Sequence, residues 1–174
     1  MNELIAIRLR TLIWLILPVL VVGVVPHWLC HCVEPVTAWR WGIWQWAGVW
    51  LIANGLGLAA WCVNLFNVEG RGTPLPLDPP KRFVVSGPYR YVRNPMMLGM
   101  GLILGGEAVL CQSRALTGYL LLITVFACLF VRCWEEPDLL RRFDGPYREY
   151  QQQVPRWIPR FPRRFSGAQP PKTQ

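Results

Sequence analysis

Arg93, near the end of a Gly- and Pro-rich stretch, and Glu135-Glu136, at the end of a long apolar run, are the residues best suited to chemistry. An arginine with two carboxylates can hold a zwitterion, the guanidinium taking a carboxylate and the carboxylates an ammonium. Between them in the chain lies Gly99-Met100-Gly101. Two glycines can admit a ligand close to the backbone. They can also serve helix packing, and Gly101 with Gly105 forms a GxxxG pattern, which on the local sequence is the better reading. Glu135-Glu136 also reads as a solvated helical face, on which Arg132 stands at i−3 and i−4 and can pair with Glu136. Glu107 interrupts an apolar run, and an intramembrane carboxylate either faces a cavity or partner or reaches the interface. His27, Cys30, His31 and Cys32 are metal-ligand types, but without paired-knuckle spacing they read as a wet turn after a helix, so no metal site is expected.

These residues need a scaffold, and the composition says which kind. Hydrophobic residues make up 53% of 174 and charged ones only 16%, too little charge to cover a soluble domain, so the bilayer is the expected solvent. The net charge of +8 comes from basic residues that flank apolar runs instead of forming one stripe, which argues against nucleic acid. A hydrocarbon core of about 30 Å needs roughly 20 apolar residues per helical crossing. Four stretches qualify: 11–30, 41–68, 95–111 and 115–131. The first is preceded by Arg8 and Arg10 but is long for a signal peptide, contains Pro18 and lacks a small-x-small cleavage site, so it reads as a retained anchor. Gln112 to Arg114 is short enough to make the last two an antiparallel hairpin. The expected fold is an all-α polytopic membrane protein of about four transmembrane helices plus short cytoplasmic C-terminal helices. Residues 1–165 form one membrane-embedded domain, followed by a disordered tail over 166–174.

Sixteen of the eighteen Lys and Arg lie in the N-terminal tail, in 69–93 or beyond Val131, against only Arg40 and Arg114 in the other loops. The positive-inside rule places both termini and the 69–93 loop in the cytoplasm. Trp39, Trp41, Trp44 and Trp46 then form an aromatic belt at the opposite interface. Pro and Gly within 69–93 deny it a regular helix, with a short extended patch at Phe83-Val84-Val85 and a turn at Ser86-Gly87-Pro88-Tyr89. Asn94 is the expected N-cap of the third span and Pro95 its first residue. After the fourth span the helix continues through Phe143, breaks at Asp144-Gly145-Pro146, resumes over Tyr147 to Gln153 and stops at Val154-Pro155.

Two separated motifs carry a resemblance: Gly87-Pro-Tyr-Arg-Tyr-Val-Arg-Asn-Pro95, and Glu135-Glu136 followed by Phe143, Tyr147, Tyr150 and Val154-Pro155. In this order they resemble the isoprenylcysteine carboxyl methyltransferases and their bacterial relatives, which also resemble phospholipid N-methyltransferases. The likeness covers about half the chain, roughly residues 78–159. It implies an integral membrane enzyme of the bacterial inner membrane, with S-adenosylmethionine as methyl donor at the cytoplasmic ends of the last two spans. It implies Arg93 and Glu135 as catalytic residues. Asn94, Pro95, Gly99, Gly101, Glu135 and Glu136 would contact the cofactor. In the carboxyl methyltransferase motif Arg-His-Pro-x-Tyr, Asn94 stands at the His position and Met97 at the Tyr position. The implied acceptor is a lipophilic or small hydrophobic carboxyl or amine, entering from the bilayer. Two other readings stand beside this one: a sterol-type membrane reductase using NADPH, and a non-enzymatic membrane scaffold. The sequence does not decide the oligomeric state.

Overall fold

The computed structural model describes residues 16–33, 41–70 and 84–161. Among the described residues all regular structure is helical. The N-terminal tail, the start of the first predicted span, most of the Gly- and Pro-rich loop, and the tail over 166–174 lie outside them.

Helix α1 (Ile16–Val33) alternates α-helical turns with wide π turns at Leu20–Val24 and Leu29–Val33. Pro18 and Pro26 each lack an amide donor, which breaks the regular ladder and favours such irregular turns. Tyr119 donates its hydroxyl to the Val21 carbonyl at 3.1 Å, so the irregular stretch gains a partner from a neighbouring helix. Helix α2 (Ile43–Gly70) begins at Gly42, whose N–H donates to Gln45 Oε1 at 2.8 Å, and closes in a π turn. Helix α3 spans Pro95–Cys111 with Pro95 at its first position, as the sequence predicts. Gln112 then turns in the left-handed region at φ 50°, and Ser113 caps α4 (Arg114–Phe130) by accepting from the Leu116 N–H at 3.1 Å. The predicted hairpin forms. A π turn at Val131–Glu135 leads into α5 (Glu136–Gln153), which bends at Asp144, where φ is 30°.

The helices Ile16–Val33, Ile43–Gly70 and the continuous run Arg114–Gln153 are each long and apolar enough to cross a membrane. Helix α3, with 17 residues, rises about 25 Å at 1.5 Å per residue, slightly under the hydrocarbon thickness. It runs antiparallel against α2 in the most extensive contact of the fold. That contact is built on glycine. A Cβ at Gly48 would sit 2.7 Å from the Gly106 carbonyl oxygen, and one at Gly55 would sit 2.6 Å from that of Gly99. Each helix therefore offers two glycines seven residues apart, and the backbones touch at both levels. The GxxxG expected to pack, Gly101 with Gly105, does not face α2: a Cβ on Gly101 meets nothing within 4 Å, and one on Gly105 only Leu120 at 3.8 Å. Helix packing is correct for this region, but Gly99 with Gly106 makes it.

Large apolar side chains stand exposed along the helices, among them Trp44, Trp46 and Trp50 on α2 and Leu121, Leu122 and Leu129 on α4. Such surfaces are compatible with a lipid surrounding, in which apolar exposure carries no cost. Among the described residues no group of three or more His, Cys, Asp or Glu is gathered for a metal, and the His27 and His31 rings pack together at 4.3 Å. Glu107 keeps a buried Oε2 with no hydrogen-bond partner among the described residues.

Candidate active site

The segment leading into α3 forms one wall of the site. Gly87–Arg90 makes a single 3₁₀ turn, entered through Gly87 at φ 55°, and Ser86 donates its hydroxyl to the Glu69 carboxylate at the end of α2. Tyr89 is buried against Cys62, Leu65 and Val84, with its ring edge-on to Phe66 at 5.4 Å. That burial holds its hydroxyl protonated, well above the usual tyrosine range.

A C-terminal strap completes the wall. The bend at Asp144 directs Tyr147, Tyr150 and Val154 into one buried cluster with Val85, Leu139 and Phe143 around it. Tyr150 donates its hydroxyl to the Tyr89 carbonyl at 2.7 Å. Beyond Gln153 the chain lies along the segment before α3: the Arg93 N–H donates to the Pro155 carbonyl at 2.9 Å, and the Arg160 N–H to that of Tyr91 at 3.0 Å. Asn94 occupies the N-cap position but does not cap with its side chain. Its amide donates instead to the Arg156 carbonyl at 3.1 Å.

These contacts set a buried charge cluster. Glu136, only 6% exposed, accepts from Arg93 Nη1 at 2.7 Å, from Arg156 Nε at 2.8 Å and from Arg156 Nη2 at 2.7 Å. Its carboxylate is thus shared between two guanidinium groups, one of them bidentate. The pairing of Glu136 with Arg132 is not formed; the π turn shifts the helical register between them, and Arg132 is exposed. Glu135 points elsewhere. Its Oε2 is buried without a hydrogen-bond partner among the described residues, and so is Arg93 Nε. Burial, with repulsion from Glu136 and Asp138, pushes the Glu135 carboxyl up to about 7.

Both partnerless atoms belong to residues of one cavity of about 510 Å³, within the range of sites for small molecules and cofactors. Its polar end carries Arg93, Asn94, Glu135, Glu136, Asp138 and Arg142. Its apolar end runs between Leu17, Pro18 and Val21 of α1 and Ile123, Phe126 and Phe130 of α4, with Met97 and Met100 of α3 beneath. Leu17 and Phe126, which line this end, are themselves exposed.

Of the residues singled out in the sequence, Arg93, Asn94, Glu135 and Glu136 come together around this space. Pro95, Gly99 and Gly101 do not line it: Pro95 borders a groove elsewhere on α3, Gly99 packs on α2, and Gly101 faces open space. Sequence reasoning missed Arg156. The signal was a basic residue directly after Val154-Pro155, a pair read only as a helix stop.

The donor set fits the amino-acid end of S-adenosylmethionine: an unmatched carboxylate oxygen suits an ammonium, and an unmatched guanidinium N–H suits a carboxylate. No curated protein and no solved structure matches the chain. A family model described as phospholipid methyltransferase matches residues 43–145, more than half of the chain, from the start of α2 to the bend in α5, and so includes Arg93, Glu135 and Glu136. The chain therefore belongs to the phospholipid methyltransferase family, membrane enzymes that transfer a methyl group from S-adenosylmethionine.

Proposed function

We propose that the protein methylates a lipophilic acceptor drawn from the bilayer, with the donor's amino-acid end held by Glu135 and Arg93. The observation that carries this reading is one cavity lined both by the charged residues Arg93, Glu135 and Glu136 and by apolar side chains of α1, α3 and α4. When bound, S-adenosylmethionine supplies an electrophilic methyl group on a sulfonium, open to in-line displacement by an acceptor.

The chain's own residues do the positioning. Glu135 Oε2 accepts from the donor's ammonium, and Arg93 Nε donates to its carboxylate. Glu136 acts through Arg93: with one oxygen on Arg93 and both on Arg156, it holds the guanidinium in place. Asn94 acts through the strap, which it fastens at Arg156. The aromatic and methionine walls exclude water, which strengthens every charge interaction at the mouth and spares the donor from hydrolysis. An acceptor slides in between α1 and α4 with its apolar part and presents its nucleophile to the fixed donor, an effect of proximity and alignment. Both termini face the cytoplasm in this reading, where the donor is made available to the polar mouth.

Membranes holding the protein, incubated with methyl-labelled donor, test this. Label is expected in the lipid fraction, and Arg93→Ala and Glu135→Ala are each expected to lower its incorporation at least tenfold, since each removes a charged hydrogen bond of about 1.5–3 kcal/mol. Label confined to protein or to water-soluble products rejects the lipid acceptor. Unchanged rates in both variants reject the residue roles.

A further inference from the structure

Helix α2 packs on α3 through Gly48 and Gly55 and leaves its opposite face bare. At about 100° of rotation per residue, that outward face is centred on Gly57 and carries Trp50, Ala53, Asn54, Trp61 and Asn64, all of them exposed. Asn54 is out of place there. It lies near the middle of a helix that runs from Ile43 to Gly70, at the depth of the hydrocarbon. Its Nδ2 donates to the Trp50 carbonyl one turn back at 2.7 Å, and among the described residues it makes no other hydrogen bond. One amide proton and the Oδ1 oxygen are left over. Acyl chains have neither donors nor acceptors, so a covering of lipid leaves both groups unsatisfied.

The residues around Asn54 give the shape of what is missing. A Cβ built on Gly57 meets nothing within 4 Å, and Ala53 stands four residues before it. This small-xxx-small spacing lets the backbone of a second helix come close enough for a short side chain such as asparagine to reach across. The exposed indoles of Trp50 and Trp61 stand on either side of the dip, where two crossing helices diverge and leave a widening gap to fill. None of these residues lines the methyl-transfer cavity.

We propose that this face of α2 is a homodimer interface, covered by α2 of a second copy with the two Asn54 side chains bonded to each other across a two-fold axis. Copies of one chain enter the bilayer the same way up, so the two helices run parallel and each residue meets its own counterpart at the same depth. A carboxamide is self-complementary: the remaining N–H of each Asn54 donates to the Oδ1 of the other, which satisfies both leftover groups at once. A second copy is thus the occupant that carries a matching amide at the required depth. The interface is separate from the methyl-transfer cavity and does not depend on the donor contacts or the acceptor assigned above.

Single-molecule photobleaching of the fluorescently tagged full-length protein, reconstituted into phosphatidylcholine vesicles over a series of protein-to-lipid ratios, tests this. Two-step bleaching is expected to exceed random co-occupancy as the ratio rises. Asn54→Leu is expected to weaken association roughly tenfold, the order expected of two interhelical hydrogen bonds. Asn54→Gln, which keeps the amide, is expected to retain most of it. Gly57→Leu, which fills the dip, is expected to weaken it at least as much as Asn54→Leu. Leu56→Ala, exposed on α2 but off this face, is expected to change nothing. All these positions are exposed, so S-adenosylmethionine affinity, measured by calorimetry in detergent, is expected to stay the same in every variant. Single-step bleaching at every ratio overturns the proposal, as does a dimer untouched by Asn54→Leu or by Gly57→Leu.

Discussion

Glu135 and Glu136 are adjacent in sequence and opposite in circumstance. Two guanidinium groups complement Glu136, whereas Glu135 is buried with one oxygen unmatched and its carboxyl pushed up to about 7 from an ordinary 4.5. The folded protein thus keeps on Glu135 a proton that the unfolded chain releases. The stability this group contributes is full below about 4.5 and is lost as pH rises toward about 7. A cationic ligand reverses that cost, because it favours the ionised form. Affinity for S-adenosylmethionine is therefore expected to rise roughly tenfold between about pH 5.5 and 7, and Glu135→Gln to flatten the profile, both measured by calorimetry in detergent. An unchanged slope in the variant would remove Glu135 from the ligand's ammonium. The pair was legible in sequence as a candidate site. Its division of labour was not, because that depends on Arg156, twenty positions away along the chain and brought back only by the bend at Asp144.

At the scale of elements, two of the apolar runs match helices of the structure: the predicted 95–111 coincides with α3, and 115–131 is displaced by one residue from α4. Which faces meet was not legible. Helices α2 and α3 are apolar on every side, so no polar stripe marks the surface turned away from the partner. Only the close approach of backbones distinguishes Gly48, Gly55, Gly99 and Gly106 from the other glycines, and closeness is a property of two helices together. Substituting Gly55→Ala or Gly106→Ala forces a Cβ to within 2.6–2.7 Å of a carbonyl oxygen on the facing helix. Each is expected to cost about 2 kcal/mol or more, seen as a drop of roughly 5 °C in the thermal midpoint in detergent. Gly101→Ala, which meets nothing, is expected to keep or raise that midpoint. If it does so while weakening S-adenosylmethionine binding, Gly101 serves ligand approach.

For the whole molecule, the uneven distribution of Lys and Arg makes orientation a prediction about accessible thiols. Cys32, at the end of α1, and Cys133, in the π turn before α5, are both exposed and belong to opposite ends of the bundle. In spheroplasts of an expression host, a membrane-impermeant maleimide is expected to label a variant retaining only Cys32. A variant retaining only Cys133 is expected to react after permeabilisation. The reverse pattern inverts the topology.

The strap has a consequence for how the enzyme comes into being. Spans can enter the bilayer one after another as the ribosome makes them, but the Arg93–Glu136 pair lacks its third member until Arg156 has been synthesised and laid over the segment before α3. On the donor site proposed above, a nascent chain is thus anchored in the membrane before that site is complete, and catalytic competence is expected to be a late event of biogenesis.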